Sequence, residues 1–306
     1  MRSDLAYQTP YDWNLFLVGD VHKGSILHYR RGFAKFLNTV ESSYVGTEYP
    51  QYGGLPASRN RIVWMGDQAE CITIDDKRFN FDTTEQPLLR CLEDEIVRTI
   101  DPVKKISLFL LKGNHEDHVT NSYGDMAQFT ADRLGIDYGS FSAIAKFISK
   151  QGLQFKLHAT HGAGVIRSQA KDPEQAEANQ KASLKKKLKD LAGDCVVQAM
   201  GHTHRLMIVN PIKQLYIKTE DGKLRQGYTS GNDWPQNAEY IHPDQRWYVN
   251  TGSFTRLYAD PVEDEQGNKI YPTSYAERRG YGPTELGYAV CLIRDNKVVG
   301  IEKEIV

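Results

Sequence analysis

Apolar and polar positions fall into alternating blocks along this chain of 306 residues. Short, mostly apolar runs at 15–18, 61–65, 106–111, 153–160, 195–200, 246–251 and 286–293 read as strands. Between them, 31–41, 85–100, 125–134, 140–150 and 172–192 carry helical patterns. Strand and helix alternating in this way predict an α/β fold, with functional groups in the loops at the C-terminal ends of the strands. Residues 212–245 and 259–285 are polar and contain many Gly, Pro and Asn, so they read as long loops or insertions. The stretch 212–285 is expected to furnish a lid or a partner surface. No internal repeat or flexible linker interrupts the pattern, and residues 1–306 read as a single domain.

Composition narrows the classes. Hydrophobic residues make up 40% and charged residues 25%, the balance of a globular chain with a real core. A net charge of −1 argues against a broad nonspecific nucleic-acid surface. The segment 171–191 is lysine-rich, and a solvated helix face is its first reading; a phosphate-binding stripe of Lys181 and Lys185 to Lys187 is the alternative. No apolar stretch is long enough for a membrane span, and "MRSDLAYQTPYDW" has no secretory h-region. Cys71, Cys91, Cys195 and Cys291 form no CxxC pair, which reads as reduced thiols in a cytoplasmic protein.

The strand ends share one peculiarity. "LFLV" runs into Gly19-Asp20-Val21-His22, "RIVWM" into Gly66-Asp67 and "ISLFLLK" into Gly113-Asn114-His115-Glu116. "LQFKLHAT" runs into His161-Gly162, and "CVVQAM" into Gly201-His202-Thr203-His204. A single Asp, Asn or His after a strand is an ordinary turn former or cap. Five such ends delivered to one crevice would crowd carboxylates and imidazoles that only cations can reconcile. His, Asp and Asn ligands without thiolates suit Mn²⁺, Fe²⁺, Zn²⁺, Ni²⁺ or Mg²⁺. The groups outnumber the ligands of one catalytic zinc and suffice for two ions sharing a carboxylate. In an extended strand residues i and i+2 project to one side, so Asp20 and His22 are expected to grip the same ion together. His202 and His204 either repeat that geometry or sit in a turn that divides them between two ions. The strand is thus expected to be a rigid mount for a metal.

In their order and spacing, "GDVH", "GDQAE", "GNHE", "THG" and "GHTH", spanning residues 19–204, resemble the motifs of the calcineurin-like metallophosphoesterase superfamily. That resemblance implies a four-layer αββα sandwich of two mixed β-sheets flanked by helices. It implies one divalent metal held by Asp20, His22 and His204, a second held by Asn114, His161 and His202, and Asp67 bridging them. Manganese is the first choice of metal, with Fe, Zn, Ni and Mg as alternatives. His115 is implied to face the leaving group as an acid or charge stabiliser, and Glu116 to orient it. "YVNTGSF" (248–254) resembles the later strand end that borders the site, with Asn250 to Ser253 as loop support. Lys23, Arg205 and Arg256 are further candidates for substrate contact, whereas His28, His118, His158 and His242 fit no ligand position. The expected activity is hydrolysis of a phosphate ester by a metal-activated water, in the first instance a phosphodiester at a nucleotide or nucleic-acid end. A phosphomonoesterase is the alternative, and a non-catalytic metal-bound scaffold is the alternative from another class. The run "GDQAECITIDD" lacks the "DRG" of the protein phosphatase branch, and Glu116 stands where nucleases of the superfamily generally carry Asp. Oligomeric state is not encoded in any of these motifs.

Overall fold

The computed structural model describes residues 1–44, 46–77, 79, 83–229, 234–263 and 266–306. Strand β2 (Trp13–Val18) is buried throughout. Leu15 and Leu17 face one side of its sheet and Phe16 and Val18 the other, so an unbroken apolar run is what both faces require. Around it the chain forms a six-stranded sheet in the order β16–β15–β2–β3–β4–β5. Its other members are β3 (Asn60–Trp64), β4 (Ser107–Leu110), β5 (Asp137–Tyr138), β15 (Gly287–Arg294) and β16 (Lys297–Ile305). From β2 to β5 the strands are parallel, and β15 and β16 extend the sheet antiparallel.

The second six-stranded sheet runs β1–β6–β7–β8–β12–β9. It comprises β1 (Arg2–Gln8), β6 (Ser142–Ser149), β7 (Gly152–Thr160), β8 (Val197–Met200), β9 (Leu206–Val209) and β12 (Trp247–Thr251). The inner faces of the two sheets share one core, in which Leu17, Val63 and Phe109 meet Ala145, Phe155 and Leu157. Helices α1 (Arg30–Val40), α2 (Leu89–Ile100) and α5 (Met126–Leu134) cover the outer face of the first sheet through Phe33, Phe36, Leu92, Ile96 and Ala127. Helix α6 (Pro173–Leu188) covers the second sheet through Leu184 and Leu188 against Met207 and Tyr248. The architecture is an α/β sandwich of two mixed sheets with helices outside, as expected.

Two short helices, α3 (Asn114–His118) and α4 (Thr120–Tyr123), follow β4, and local chemistry sets the ends of the longer ones. Asp172 caps α6 by accepting from Gln175 N at 2.7 Å, ahead of Pro173 at the first turn. Gly135, in the left-handed region at φ 68°, closes α5.

Two expectations are corrected, and one strand lies where no element was expected. Residues 140–150 are not helical: 142–149 form β6, antiparallel to β7. Ala143, Ala145 and Phe147 are fully buried at a period of two, a strand pattern hidden by small residues and lysine that also suit a helix. The polar N-terminal segment is the edge strand β1, parallel to β6, with only Leu5 fully in the core. Within 212–245, residues 215–228 are a hairpin, β10 (Leu215–Glu220) and β11 (Lys223–Tyr228), in a two-stranded sheet of its own. Within 259–285 lie a second small hairpin, β13 (Val262–Glu263) and β14 (Lys269–Ile270), and the single turn α7 (Tyr275–Arg278). The parts of those expected loops at 230–233 and 264–265 lie outside the described residues. The lysines of α6 are largely engaged: Lys181 pairs with Glu177, Lys185 with Asp244, and Lys187 donates to Ala163 O. No helix among the described residues is long and apolar enough to cross a membrane.

Candidate metal centre

Five parallel-running strand ends converge where the two sheets face each other. β2, β3 and β4 deliver Asp20, Asp67 and Asn114 from the first sheet; β7 and β8 deliver His161 and His202 from the second. Asp20, His22 and His204 form one group that could hold a metal ion, and Asp67, His161 and His202 form another. Asn114 Oδ1 joins the second group, 3.0 Å from His161 Nε2 and 2.6 Å from His202 Nδ1. Asp67 Oδ2 lies 3.2 Å from His161 Nε2 and 3.8 Å from His22 Nε2, between the two groups. All seven residues named as ligands are therefore brought together.

The mounting differs from the expected extended strand. β2 ends at Val18, and Asp20 and His22 both adopt left-handed backbone conformations, at φ 52° and 51°. Asp67, His202 and His204 do the same at 51°, 68° and 54°. Asp and His tolerate this region better than most residues, yet each such conformation costs about 1–3 kcal/mol, and strain of this kind clusters at functional sites. The "GHTH" turn divides its histidines: His204 Nε2 lies 3.1 Å from His22 Nε2, whereas His202 meets Asn114. The glycines have a steric reason. A Cβ on Gly113 would lie 2.0 Å from Asp67 Oδ1, so only glycine lets the third strand end pass so close to Asp67.

Hydrogen bonds from outside the cluster orient several of the ligands. His161 Nδ1 pairs with Met65 O at 2.9 Å and His22 Nδ1 with Glu70 Oε2 at 2.6 Å, so both rings present Nε2 to the cluster. The amide of His202 donates to both Asp20 oxygens, at 3.1 and 2.9 Å. Phe254 N and Ser253 Oγ donate to Asp20 O, and Asn250 Nδ2 donates to Thr203 Oγ1, so the 250–254 segment braces two ligand loops.

The electrostatics suit a cation. Asp20 and Asp67 are almost inaccessible to solvent. Burial opposes protonation of His22, but Glu70, Asp67 and Asp20 overcome it and push its pKa up to about 9. His161 is likewise buried, and Asp67 pushes it up to about 10. Asp67 is held well below the usual carboxylate range, its burial outweighed by His161, His115 and His22. His202 is shifted downward by burial and by His161. His161 Nε2 lies 3.0 Å from Asn114 Oδ1 and 3.2 Å from Asp67 Oδ2, a set of nitrogen and oxygen ligand atoms that fits a divalent ion. A turned Asn114 amide would instead donate to Asp67, His202 and His161; the oxygen-inward orientation is the one that serves a cation.

His115 sits beside the cluster, its ring edge-on to His22 at 4.6 Å between centroids. Its amide donates to Asp67 Oδ1 at 2.9 Å, and its Nδ1 bonds to Glu70 O. Glu116 does not have the role expected of it. Its carboxylate accepts from the amides of Asp67, Ala69 and Gly113 at 2.9–3.0 Å, tying two ligand loops together. Burial and the neighbouring Asp67 push its pKa upward, against the pull of those amides. Glu70 instead lies between His22 and His115, a placement with no signal in the sequence beyond its position within "GDQAE".

Lys23 is paired through its backbone with Ala69 and does not line the adjoining cleft, whereas Arg205 and Arg256 do. His118 and His242 meet Asp76 and Asp244 away from the cluster, His28 bonds to Val21 O, and His158 is buried in the second sheet. No protein-family model matches this chain, and no curated protein matches it either.

Proposed function

We propose that this protein is a metal-dependent phosphoesterase of the calcineurin-like kind, with a phosphodiester as its first-choice substrate. The observation that carries the reading is the pair of ligand groups at the common C-terminal edge of two sheets, with Asp67 a member of one and its Oδ2 3.8 Å from His22 Nε2 of the other. Asp20, His22 and His204 would hold one divalent cation, and Asn114, His161 and His202 the other, with manganese the first candidate. Bound there, such ions supply Lewis acidity that makes water nucleophilic at neutral pH and neutralises charge building on the phosphoryl oxygens.

The chain's own residues do the rest. In hydrolysis the water oxygen bonds to phosphorus, the bond to the leaving oxygen breaks, and the leaving oxygen takes up a proton. Glu70 O fixes the Nδ1–H tautomer of His115, which assigns proton exchange to Nε2. Asp67 Oδ1, held by the His115 amide, keeps that ring in register with the ligands. The diester reading is supported by the cleft beside His202 and His204, whose lining does not include His115 and which gives a second organic arm somewhere to lie.

The test is reconstitution: chelator-stripped protein given Mn²⁺, Ni²⁺, Zn²⁺ or Mg²⁺ singly, with bis-p-nitrophenyl phosphate and p-nitrophenyl phosphate compared. Metal-dependent cleavage with diester preference is expected. Monoester preference would move the assignment to a phosphatase, and protein that binds no metal would overturn the reading. Asp67→Asn should reduce turnover by more than about 100-fold, since even residues that only orient a ligand are worth 10–100-fold. Its circular dichroism should stay native; full activity in the variant refutes the bridging role.

A further inference from the structure

A cleft of about 770 Å³ opens beside the candidate centre, with His202 and His204 forming part of its wall. Its volume falls in the range of small-molecule and cofactor sites. Arg167, Arg205 and Arg256 also line it, and none of its lining residues is a carboxylate. In a chain of net charge −1, three guanidiniums in one acid-free cleft are a local concentration of positive charge. Arg256 is offset by Asp260 at 2.5 Å, outside the lining, and also donates to Ile26 O. Arg205 has no hydrogen-bond or ion-pair partner among the described residues.

The remaining wall is apolar and aromatic. Leu257, Val165 and Tyr281 line it, and Val165 and Tyr281 are 61% and 41% exposed. The Arg167 guanidinium lies 5.4 Å from the Tyr281 ring centroid and donates to its hydroxyl at 3.1 Å. Aromatic rings and guanidinium planes are the surfaces on which heterocyclic bases stack, and this wall of the cleft offers both. Arginine also matches phosphate oxygens with paired, charge-assisted hydrogen bonds.

We propose that this cleft is the subsite for the body of the substrate. The substrate is accordingly a small nucleotide carrying a further phosphate beyond the one presented to the metal-capable cluster. The base lies against Tyr281 and the apolar wall, and the further phosphate is held by Arg205 with Arg167. This inference rests on the phosphoesterase reading and goes beyond it by naming the substrate class.

Equilibrium dialysis of the Mn²⁺-loaded full chain tests it, with α,β-methylene-ADP, inorganic phosphate, adenosine and pentathymidylate as probes. The methylene nucleotide should bind at least about tenfold tighter than phosphate or adenosine. Arg205→Ala and Arg167→Ala should each weaken it by about fivefold or more, and phosphate by a clearly smaller factor. Tyr281→Leu, which keeps an apolar side chain but loses the hydroxyl that accepts from Arg167, should weaken the nucleotide by a clearly larger factor than phosphate. Nucleotide binding no tighter than phosphate, or equal losses for both probes in the arginine variants, overturns the subsite. Tighter binding of pentathymidylate than of the nucleotide overturns it in favour of a nucleic-acid end. Bis-p-nitrophenyl phosphate hydrolysis, run alongside, separates the two failures. Hydrolysis without nucleotide preference sinks the subsite alone. Nucleotide binding without hydrolysis of any ester sinks the phosphoesterase reading, and with it the claim that the ligand is a substrate.

Discussion

Glu70 makes two demands on its neighbours: its carboxylate holds His22 Nδ1, and its backbone carbonyl holds His115 Nδ1. One residue thereby orients a metal-capable ring and the candidate acid. Glu70→Gln keeps the shape but weakens the charge-assisted bond to His22, so metal affinity should fall about 10–100-fold, read by titration with Mn²⁺. Unchanged affinity would mean that Glu70 only fills space. His115→Ala should behave differently, retaining metal content while losing rate about 100-fold or more, with the greater loss on esters of poor leaving groups. Equal losses on good and poor leaving groups would argue for charge stabilisation without proton transfer. At this scale residue identity was readable in advance, because Asp, Asn and His directly after apolar runs stand out in any register. The partners of those residues were not. Glu116, three residues after Gly113, looked like the partner of His115, but its carboxylate reaches the amides of Asp67 and Ala69, residues on another loop.

Among the elements, the hairpin β10–β11 contrasts with the buried strands that position the site. Leu215, Ile217, Leu224 and Tyr228 share one of its faces and are 53–78% exposed. It joins the body where Gln214 and Thr229 bond to each other, N to Oγ1 at 2.8 Å and N to O at 2.8 Å. Replacing residues 215–228 by a two-residue Asn-Gly turn should therefore shift Tm by less than about 2 °C, since surface changes stay within about 0.5 kcal/mol. Phosphoester hydrolysis should persist in the shortened chain. A larger fall in Tm would show that the hairpin contributes to the core. Hairpin and edge strand escaped the hydrophobic pattern because neither buries a continuous face: β1 puts only Leu5 in the core, and the apolar positions of β10 and β11 are few and set among polar residues. The central strands β2, β3 and β15 were legible because burial on both faces demands uninterrupted apolar residues.

Across the whole molecule, two buried histidines outside the candidate centre couple stability to pH. Burial pulls His158 down to about 4, and both its ring nitrogens lack hydrogen-bond partners among the described residues. His28 is pulled down to about 4 by burial against the opposing pull of its bond to Val21 O. In each case the folded pKa lies below the unfolded value of about 6.5, so the unfolded chain binds the proton first. Their contribution is complete above pH 6.5 and is lost as pH falls toward 4, by roughly 3 kcal/mol for each group. Urea unfolding in chelator should show that loss, and His158→Phe should remove about half of it. An unchanged pH slope in that variant would mean that His158 is protonated within the fold.

Chain-local facts were settled by the sequence alone. The two-sided burial of β2 and β3, the polar groups at five strand ends, and the glycines that let them approach each other all depend on residues within a few positions. Tertiary structure decided everything that depends on distance between remote segments. His22 and His204, 182 positions apart, meet because β2 and β8 end at the same edge of two facing sheets. The division of "GHTH" between two groups, the left-handed turns at Asp20 and His22, and the role of Glu70 follow from that meeting. So does the arginine-lined cleft, assembled from residues 27, 164–168, 180, 202–205, 255–257, 276, 280–282 and 284. Hydrophobic periodicity reports which face of an element is buried, and only sheet order and register determine what it is buried against.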